Sequence, residues 1–456
     1  MGSKKDSVKK DLNKREECIS KIRGFLEKSL HEKMRRFLKG MEPEDIADIL
    51  NEFPTEDKLR IFRSLSSHSA AVVLDDTDSQ TRLQILQKFD REKLAGILDE
   101  MPADEAADVI EEVAEEKRED FLDLMEKEDA EEVEEILSYP EDSAGRVMNP
   151  DFVSVKKDND VEEAIKHIRS IEIEEDFYYV YVVDEEMRLK GIVPLKKFFL
   201  SPSGTLIRDV MEEDIHSVFV TTDQEQVAMI MRKYDLLSLP VTDEKGELVG
   251  RITADDIIDV IDEEQADDIS KMTGTIEEEK GTETTFKATQ NRLPWLITCM
   301  LGSIVTGLVI QMFEVTLAEM IALVSFIPVI TATGGNSGVQ ASTVVVRGIA
   351  LGHMDLSKVG EEVLRQFKIA LSLGLVCGIV LTFLANIWKG QSILGVITGL
   401  SIFLVVIWST CVGVFVPVMF KKLGIDPAIS SGPLITTMND VIGVFIYLSI
   451  ATMLLS

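Results

Sequence analysis

Asp440 is an isolated charge. From Ser430 to Ser456 the chain runs for 27 residues, and this aspartate is the only charged residue among them. A run of that length crosses a bilayer, and a carboxylate in its middle costs about 2.5–3.5 kcal/mol on insertion scales. Such acids face bundle interiors or wet cavities and mark cation paths, or else serve as hydrogen-bonding glue between helices. Thr436 lies one helical turn before Asp440, on the same face, and adds a hydroxyl oxygen. A second oxygen-rich stretch lies upstream, Thr333-Gly334-Gly335-Asn336-Ser337-Gly338-Val339-Gln340, with Pro328 before it. The proline and three glycines predict a broken or kinked helix. Non-helical backbone at that depth is tolerated where it is buried in protein or lines a cavity. Asn336, Gln340 and freed carbonyls would then join Asp440 and Thr436 as donors; a small-residue packing seam is the competing reading. Carboxylate, amide and hydroxyl, with no His or Cys in place, suit Mg²⁺, Ca²⁺ or Mn²⁺. Mg²⁺ gives up its waters reluctantly and fits a sparse acidic site that meets the hydrated ion.

A second concentration of chemistry precedes the membrane runs. Asp255, Asp256, Asp259, Asp262, Glu263, Glu264, Asp267 and Asp268 crowd a stretch predicted to be helical from Asp255 to about Lys280, with Gly274 and Gly281 at its frayed end. Asp256, Asp259 and Glu263 fall on one face. Like charges at this spacing cost a helix a few tenths of a kcal/mol per pair, a penalty that a hard dication reverses.

The elements that must position these groups follow from charge. Of 48 Lys and Arg and 80 Asp and Glu, eight and seven lie beyond position 290, which leaves residues 1–290 at −33 and the remainder at +1. The first part reads as a soluble acidic module, the second as a membrane domain. A charge of −33 repels nucleic acid phosphates and excludes that class of partner. Self-repulsion of this size is relieved by counterions, so bound cations are expected in the folded state. The charged start, Met1-Gly-Ser-Lys-Lys-Asp6, has no apolar core and predicts no cleaved signal peptide, and Asp6 fails the myristoylation pattern. Cys18, Cys299, Cys377 and Cys411 are scattered and offer neither a disulfide framework nor metal-ligand spacing. No nucleophile–base pair or phosphate loop points to an enzyme.

Five uncharged runs could span: Leu293–Phe313, Met320–Val346, Ile369–Trp388, Gly390–Phe420 and the Asp440 segment. With the N-terminus inside, Arg292, Arg347, Lys358, Arg365, Lys368, Lys421 and Lys422 flank the inner ends, and Lys389 alone flanks the outer. The positive-inside rule makes the soluble module cytoplasmic and puts the C-terminus outside a plasma membrane. Asp426-Pro427 reads as a helix-start signal at the cytoplasmic mouth, with a possible ion-handling role for Asp426.

Residues 1–145 read as an acidic all-helical domain. Ile46, Ile49, Leu50 and Phe53 show the period, Pro43, Pro54 and Pro102 punctuate short helices, and the segments at Pro43 and Pro102 echo one another, as in a helical-hairpin superhelix. Residues 146–262 hold a duplication. Val147-Met148 leads to Gly191-Ile-Val in one copy, and Val210-Met211 leads to Gly250-Arg-Ile in the other, each with helix, apolar strands and turn. This resembles a tandem pair of CBS domains. Such pairs bind adenine nucleotides through a Gly-x-x-Ser/Thr-x-x-Asp ending. The second copy has it in Gly250, Thr253 and Asp256; the first, with Pro194 and Lys197, does not. The resemblance leaves one ATP site open at Thr253 and Asp256.

With these parts in order, the chain resembles the MgtE family of magnesium channels. The resemblance is carried by Asn291-Arg-Leu-Pro-Trp295, Gly334-Gly-Asn-Ser-Gly-Val-Gln340 and Asp426-Pro-Ala…Thr-Thr-Met-Asn-Asp440. It implies a multidomain chain: an all-α superhelical cytosolic domain, an α/β tandem CBS pair, a connecting (plug) helix and linker at 263–290, and a five-helix transmembrane domain at 291–456. It implies a homodimer in the lipid bilayer with Asp440 and Asn336 at a two-fold pore. It further implies sensor acids that bind cytosolic Mg²⁺ and shut the pore: Asp104 and Asp108 in the helical domain; Asp223, Glu225 and Asp235 in the CBS pair; and Asp256, Asp259, Glu264, Asp267 and Asp268 in the end of the CBS pair and the plug helix. Two other readings stay open: a cation-coupled secondary Mg²⁺ exchanger, and a membrane-anchored CBS nucleotide sensor without transport.

Overall fold

The computed structural model describes residues 2–171, 177–275, 285–351, 354, 359–430 and 432–456. The chain divides into two compact units, Met1–Ile261 and Asp262–Ser456.

The first unit begins with a long helix, Gly2–Glu27, followed by short helices from His31–Leu38 to Lys127–Ser138. Local chemistry sets their starts. Ser66, Asp78 and Asp90 accept the backbone N–H groups of Ser69, Thr81 and Lys93 as N-caps, and Pro43 opens its own helix. Their apolar faces share one core that includes Ile46, Leu50, Phe62, Leu74, Leu94, Val109 and Val133. Arg82 closes the end of the helix Ser67–Asp76. Its Nε donates to Leu74 O at 2.9 Å, and Nη2 donates to the carbonyls of Asp75 and Thr77. Its Nη1 pairs with Glu112 at 3.3 Å. Arg82→Met orphans several buried carbonyls and should cost about 2–3 kcal/mol, read as a lowered thermal midpoint.

Two three-stranded sheets follow. In the first, β1 (Ser154–Lys156) runs parallel to β2 (Tyr179–Val183), which pairs antiparallel with β3 (Leu189–Pro194). In the second, β4 (Val218–Phe219), β5 (Ser238–Thr242) and β6 (Leu248–Thr253) repeat the pattern. The landmark glycines of the duplication have a reciprocal use. A Cβ on Gly191 would lie 2.7 Å from Glu212 O, and one on Gly250 would lie 2.7 Å from the Met148 sulfur. Each copy's glycine thus receives the opening segment of the other, through the bridges Ile192↔Glu212 and Asn149↔Arg251.

The acidic helix runs Ala254–Thr273 and stops at Gly274, whose φ of +76° suits glycine. This is shorter than the expected reach to Lys280, because Gly274 ends it; Lys280 and Gly281 lie outside the described residues.

In the second unit, five helices among the described residues are long and apolar enough to cross a membrane. The first, Thr285–Met312, passes through Pro294 and buries no side chain within its own chain. The others are Ile327–Ala350, Val359–Lys389, Ser392–Lys422 and Pro433–Leu455. Ser392–Lys422 packs on each of the other three, and Thr285–Met312 packs on Pro433–Leu455. Lys358, counted among the inner charges, lies outside the described residues.

One expectation is corrected here. The helix Ile327–Ala350 is continuous through Gly334, Gly335 and Gly338; the irregular part is the 3₁₀ turn Ile321–Phe326 before it, and Pro328 occupies its first turn, where no N–H is needed. The glycines serve close approach instead. A Cβ on Gly334 would meet Val405 at 2.7 Å, and one on Gly413 would lie 2.2 Å from Gly338 O. The start signal at Asp426-Pro427 is used, by a short element. These residues open a 3₁₀ turn, Pro427–Ser430, with Asp426 Oδ1 accepting Ala428 N–H at 2.8 Å, while the Asp440 helix starts at Pro433.

Candidate functional site

Asp440 is half-buried on Pro433–Leu455. One turn earlier Thr436 donates its hydroxyl to Gly432 O at 3.1 Å and lies against Gly335. Asn336 and Gln340, one turn apart on Ile327–Ala350, are exposed in the single chain, whereas Gly334, Gly335 and Gly338 face inward. Glycines on one face therefore let the helices touch and leave the amides of the other face for solvent, lipid or a second copy.

At the expected cytoplasmic end of this unit, the acidic helix finishes on the membrane helices. Lys271 Nζ pairs with Asp426 Oδ2 at 2.7 Å and also with Asp267. Gly432 leaves room for the Met272 carbonyl, 2.3 Å from where a Cβ would stand, and Gly274 lies against the Trp295 ring. Burial, reinforced by the nearby Asp426 charge, raises the Asp268 pKa to about 6. Burial works against the Lys271 ammonium, but its bonds to Asp267 and Asp426 prevail and push its pKa up.

The first unit has its own acidic meeting point. Burial raises Asp75 to about 6; Arg82 opposes this, and Asp76, Asp259 and Asp256 add to it. Asp76 is raised by burial and by Glu44, Asp259 and Asp48. Asp75 and Asp76, at the end of Ser67–Asp76, thus face Asp256 and Asp259 at the start of the acidic helix. Sequence reading did not single them out; the only signal was the acid run Asp75-Asp76-Thr77-Asp78. Asp104 instead accepts from Asn149 Nδ2 at 3.3 Å, and Asp108 lies 3.5 Å from Arg146, which also binds Glu111.

Asp223 caps the helix Gln224–Tyr234, accepting Glu225 N at 3.0 Å, with Glu225 in its first turn. Asp235 ends that helix at φ +51° and is exposed. Asp256 Oδ2 accepts both the backbone N–H and the hydroxyl of Thr253, each at 2.7 Å, and burial pushes its pKa up. The two candidate nucleotide groups are thus bonded to each other as a helix cap. Glu264 and Asp267 are half-buried on the second unit's part of the helix. Among the described residues no three of His, Cys, Asp and Glu form a ready ligand set for a metal.

A helical acidic module, a CBS pair and a unit of five long apolar helices are the parts of a multi-pass membrane transporter with a soluble module. Family models match in the same order: "MgtE intracellular N domain" over 41–142, "CBS domain" over 144–200 and 207–263, and "MgtE: Divalent cation transporter" over 327–450. The chain is 35% identical over 321 residues to the magnesium transporter MgtE of Bacillus subtilis, covering 70% of this chain and 71% of that protein. It is 38% identical over 322 residues to its namesake in Enterococcus faecalis, covering 70% and 71%. For the namesake of Thermus thermophilus the identity is 37% over 333 residues, covering 71% and 72%. The chain belongs to the MgtE family of magnesium transporters. Among solved structures, the cytosolic domain of the Mg²⁺ channel MgtE in complex with ATP aligns at TM-score 0.51 and 32% identity, over 53% of this chain and 99% of that one. The soluble part of a magnesium transporter aligns at TM-score 0.50 and 30% identity, over 55% and 99%.

Proposed function

We propose that this protein is a magnesium channel that admits Mg²⁺ to the cytoplasm and is closed by cytosolic Mg²⁺. The observation that carries the reading is Asp440, a lone carboxylate half-buried among membrane helices, in a chain whose relatives are named magnesium transporters. Two copies would pair around the pathway, so that two Asp440 carboxylates balance one dication, with Asn336 and Thr436 as further oxygens and Asp426 at the inner mouth. The soluble module lies in the cytoplasm and the C-terminus outside. Mg²⁺ held by Asp104, Asp108, Asp223, Glu225, Asp235, Asp256 and Asp259 in the first unit, and by Glu264, Asp267 and Asp268 in the second, favours the closed state only by its differential affinity for it. ATP at Thr253 and Asp256 would have to take over the cap these side chains now form; the solved relative with ATP supports the possibility of such a site.

The test is patch-clamp recording with Mg²⁺ varied on the cytoplasmic face. Unitary currents whose open probability falls as Mg²⁺ rises are expected. Flux that vanishes without a counter-ion gradient would favour a coupled exchanger, and nucleotide binding without any flux would favour a sensor. Lys271 yields a second measurement. Lys271→Met leaves Asp267 and Asp426 facing each other without their shared cation, which loosens the end of the acidic helix. Partly exposed pairs are worth up to about 1 kcal/mol, so the Mg²⁺ needed for half-closure should rise by about two- to fivefold.

A further inference from the structure

Next to Asp440 stands a buried amide. Asn439 is 1% exposed, and neither its Oδ1 nor its Nδ2 has a hydrogen-bond partner among the described residues. Buried amides are seldom left so. The amide reaches into a notch where three helices meet. A Cβ on Gly338 would lie 2.4 Å from Asn439 Nδ2, 2.6 Å from Ser409 Oγ and 2.8 Å from Ile435 Cγ2. Ser409 Oγ donates to the carbonyl of Gly334, so its own lone pairs face the same notch. One turn earlier on both helices, Thr436 lies over Gly335. The Asp440 helix therefore crosses Ile327–Ala350 over two glycines, with Thr436 against Gly335 and Asn439 and Ile435 against Gly338, and the Asn439 contact is made by a polar group.

We infer that Asn439 is a positioning and specificity-determining residue. Its amide, held in the Gly338–Ser409 notch directly or through one water, fixes the rotation of the helix and hence how far the Asp440 carboxylate projects into the ion path. The inference rests on the proposed role of Asp440. Adjacent helical residues project about 100° apart, so a rotation that frees Asn439 re-aims Asp440 by the same angle. Mg²⁺ is sensitive to that aim because it must be recognised with its waters in place. Mn²⁺ sheds water more readily and can adapt to a displaced carboxylate. Losing the notch contact therefore reduces Mg²⁺ flux more than Mn²⁺ flux.

The experiment measures Mg²⁺ and Mn²⁺ uptake by the full-length protein in vesicles of phosphatidylethanolamine and phosphatidylglycerol. The variants are Asn439→Ala, Asn439→Ser, Ser409→Ala and Asp440→Ala. Asn439→Ala should lower the Mg²⁺:Mn²⁺ flux ratio by about threefold or more, since a misplacement near 1 Å can cost far more than that. Ser409→Ala, on another helix, should move the ratio in the same direction and carries the test if Asn439→Ala does not assemble. Asn439→Ser, which keeps a polar group for the notch, should restore part of the ratio. Equal loss of both fluxes with an unchanged ratio in Asn439→Ala and Ser409→Ala would overturn the inference, leaving the amide as packing alone. Persistence of Mg²⁺ flux in Asp440→Ala would instead remove the reading on which it stands.

Discussion

Asp440→Ala should yield a membrane protein that assembles normally and carries no Mg²⁺. The substitution removes a side chain whose presence costs about 2.5–3.5 kcal/mol of insertion free energy, so the helix Pro433–Leu455 inserts at least as well without it. Its removal is severe for the ion. At an effective dielectric of 20, a dication about 5 Å from one carboxylate gains roughly 7 kcal/mol. A hundredfold loss of flux corresponds to only about 2.7 kcal/mol, so uptake should fall at least that far even if most of the attraction is screened. Asp440→Asn separates charge from shape: it keeps an oxygen and the volume, and should also fail. Asp440→Glu keeps the charge but moves it outward by one methylene, and should retain partial flux. The measurement is Mg²⁺ uptake into proteoliposomes, with circular dichroism and dimer content as controls. Wild-type uptake in Asp440→Ala would mean that the carboxylate only glues helices together.

The membrane helices and the paired CBS sheets were legible because each leaves a pattern that survives without tertiary knowledge. Twenty-seven residues with one charge announce a span, and two copies of Val-Met…Gly announce a duplication. The use of the glycines was not legible. A glycine that ends a helix and one that lets another helix approach both lack a Cβ, and only the position of Val405, Ser409 and Asn439 against Gly334 and Gly338 separates the two. Asn439 stood in the sequence only as the neighbour of Asp440 in the stretch Thr-Thr-Met-Asn-Asp440, because its burial depends on that meeting of helices. Asp75 and Asp76 were hidden for a related reason. Their partners Asp256 and Asp259 are far along the chain, and nothing local distinguishes an acid facing other acids from one facing water. Lys271, one base among many acids, gained meaning only from its 2.7 Å contact with Asp426.

The second large effect concerns the acids proposed to sense Mg²⁺. The combined variant Asp256→Asn, Asp259→Asn and Asp268→Asn should make the open fraction nearly independent of cytosolic Mg²⁺. Neutralisation acts twice, and the two actions oppose each other in level but agree in slope. Two carboxylates about 6 Å apart repel by roughly 3 kcal/mol at an effective dielectric of 20, and that repulsion favours open, separated states when Mg²⁺ is scarce. Removing it raises the closed fraction at zero Mg²⁺. The same substitutions remove ligands that Mg²⁺ would use, so adding the ion no longer produces a differential affinity for the closed state. The open fractions at zero and at saturating Mg²⁺ therefore converge, and whatever midpoint remains should rise at least about tenfold, equivalent to about 1.4 kcal/mol of lost coupling. Lys271→Met should instead shift the midpoint and keep the slope, because it loosens the docked end of the helix while leaving every carboxylate in place. Recording open probability against cytoplasmic Mg²⁺ for both variants separates the two roles. An unchanged midpoint and slope in the triple variant would make Asp256, Asp259 and Asp268 ordinary solvated or capping acids, and the origin of Mg²⁺ sensitivity would then have to be sought among Asp75, Asp76 and their neighbours in the first unit.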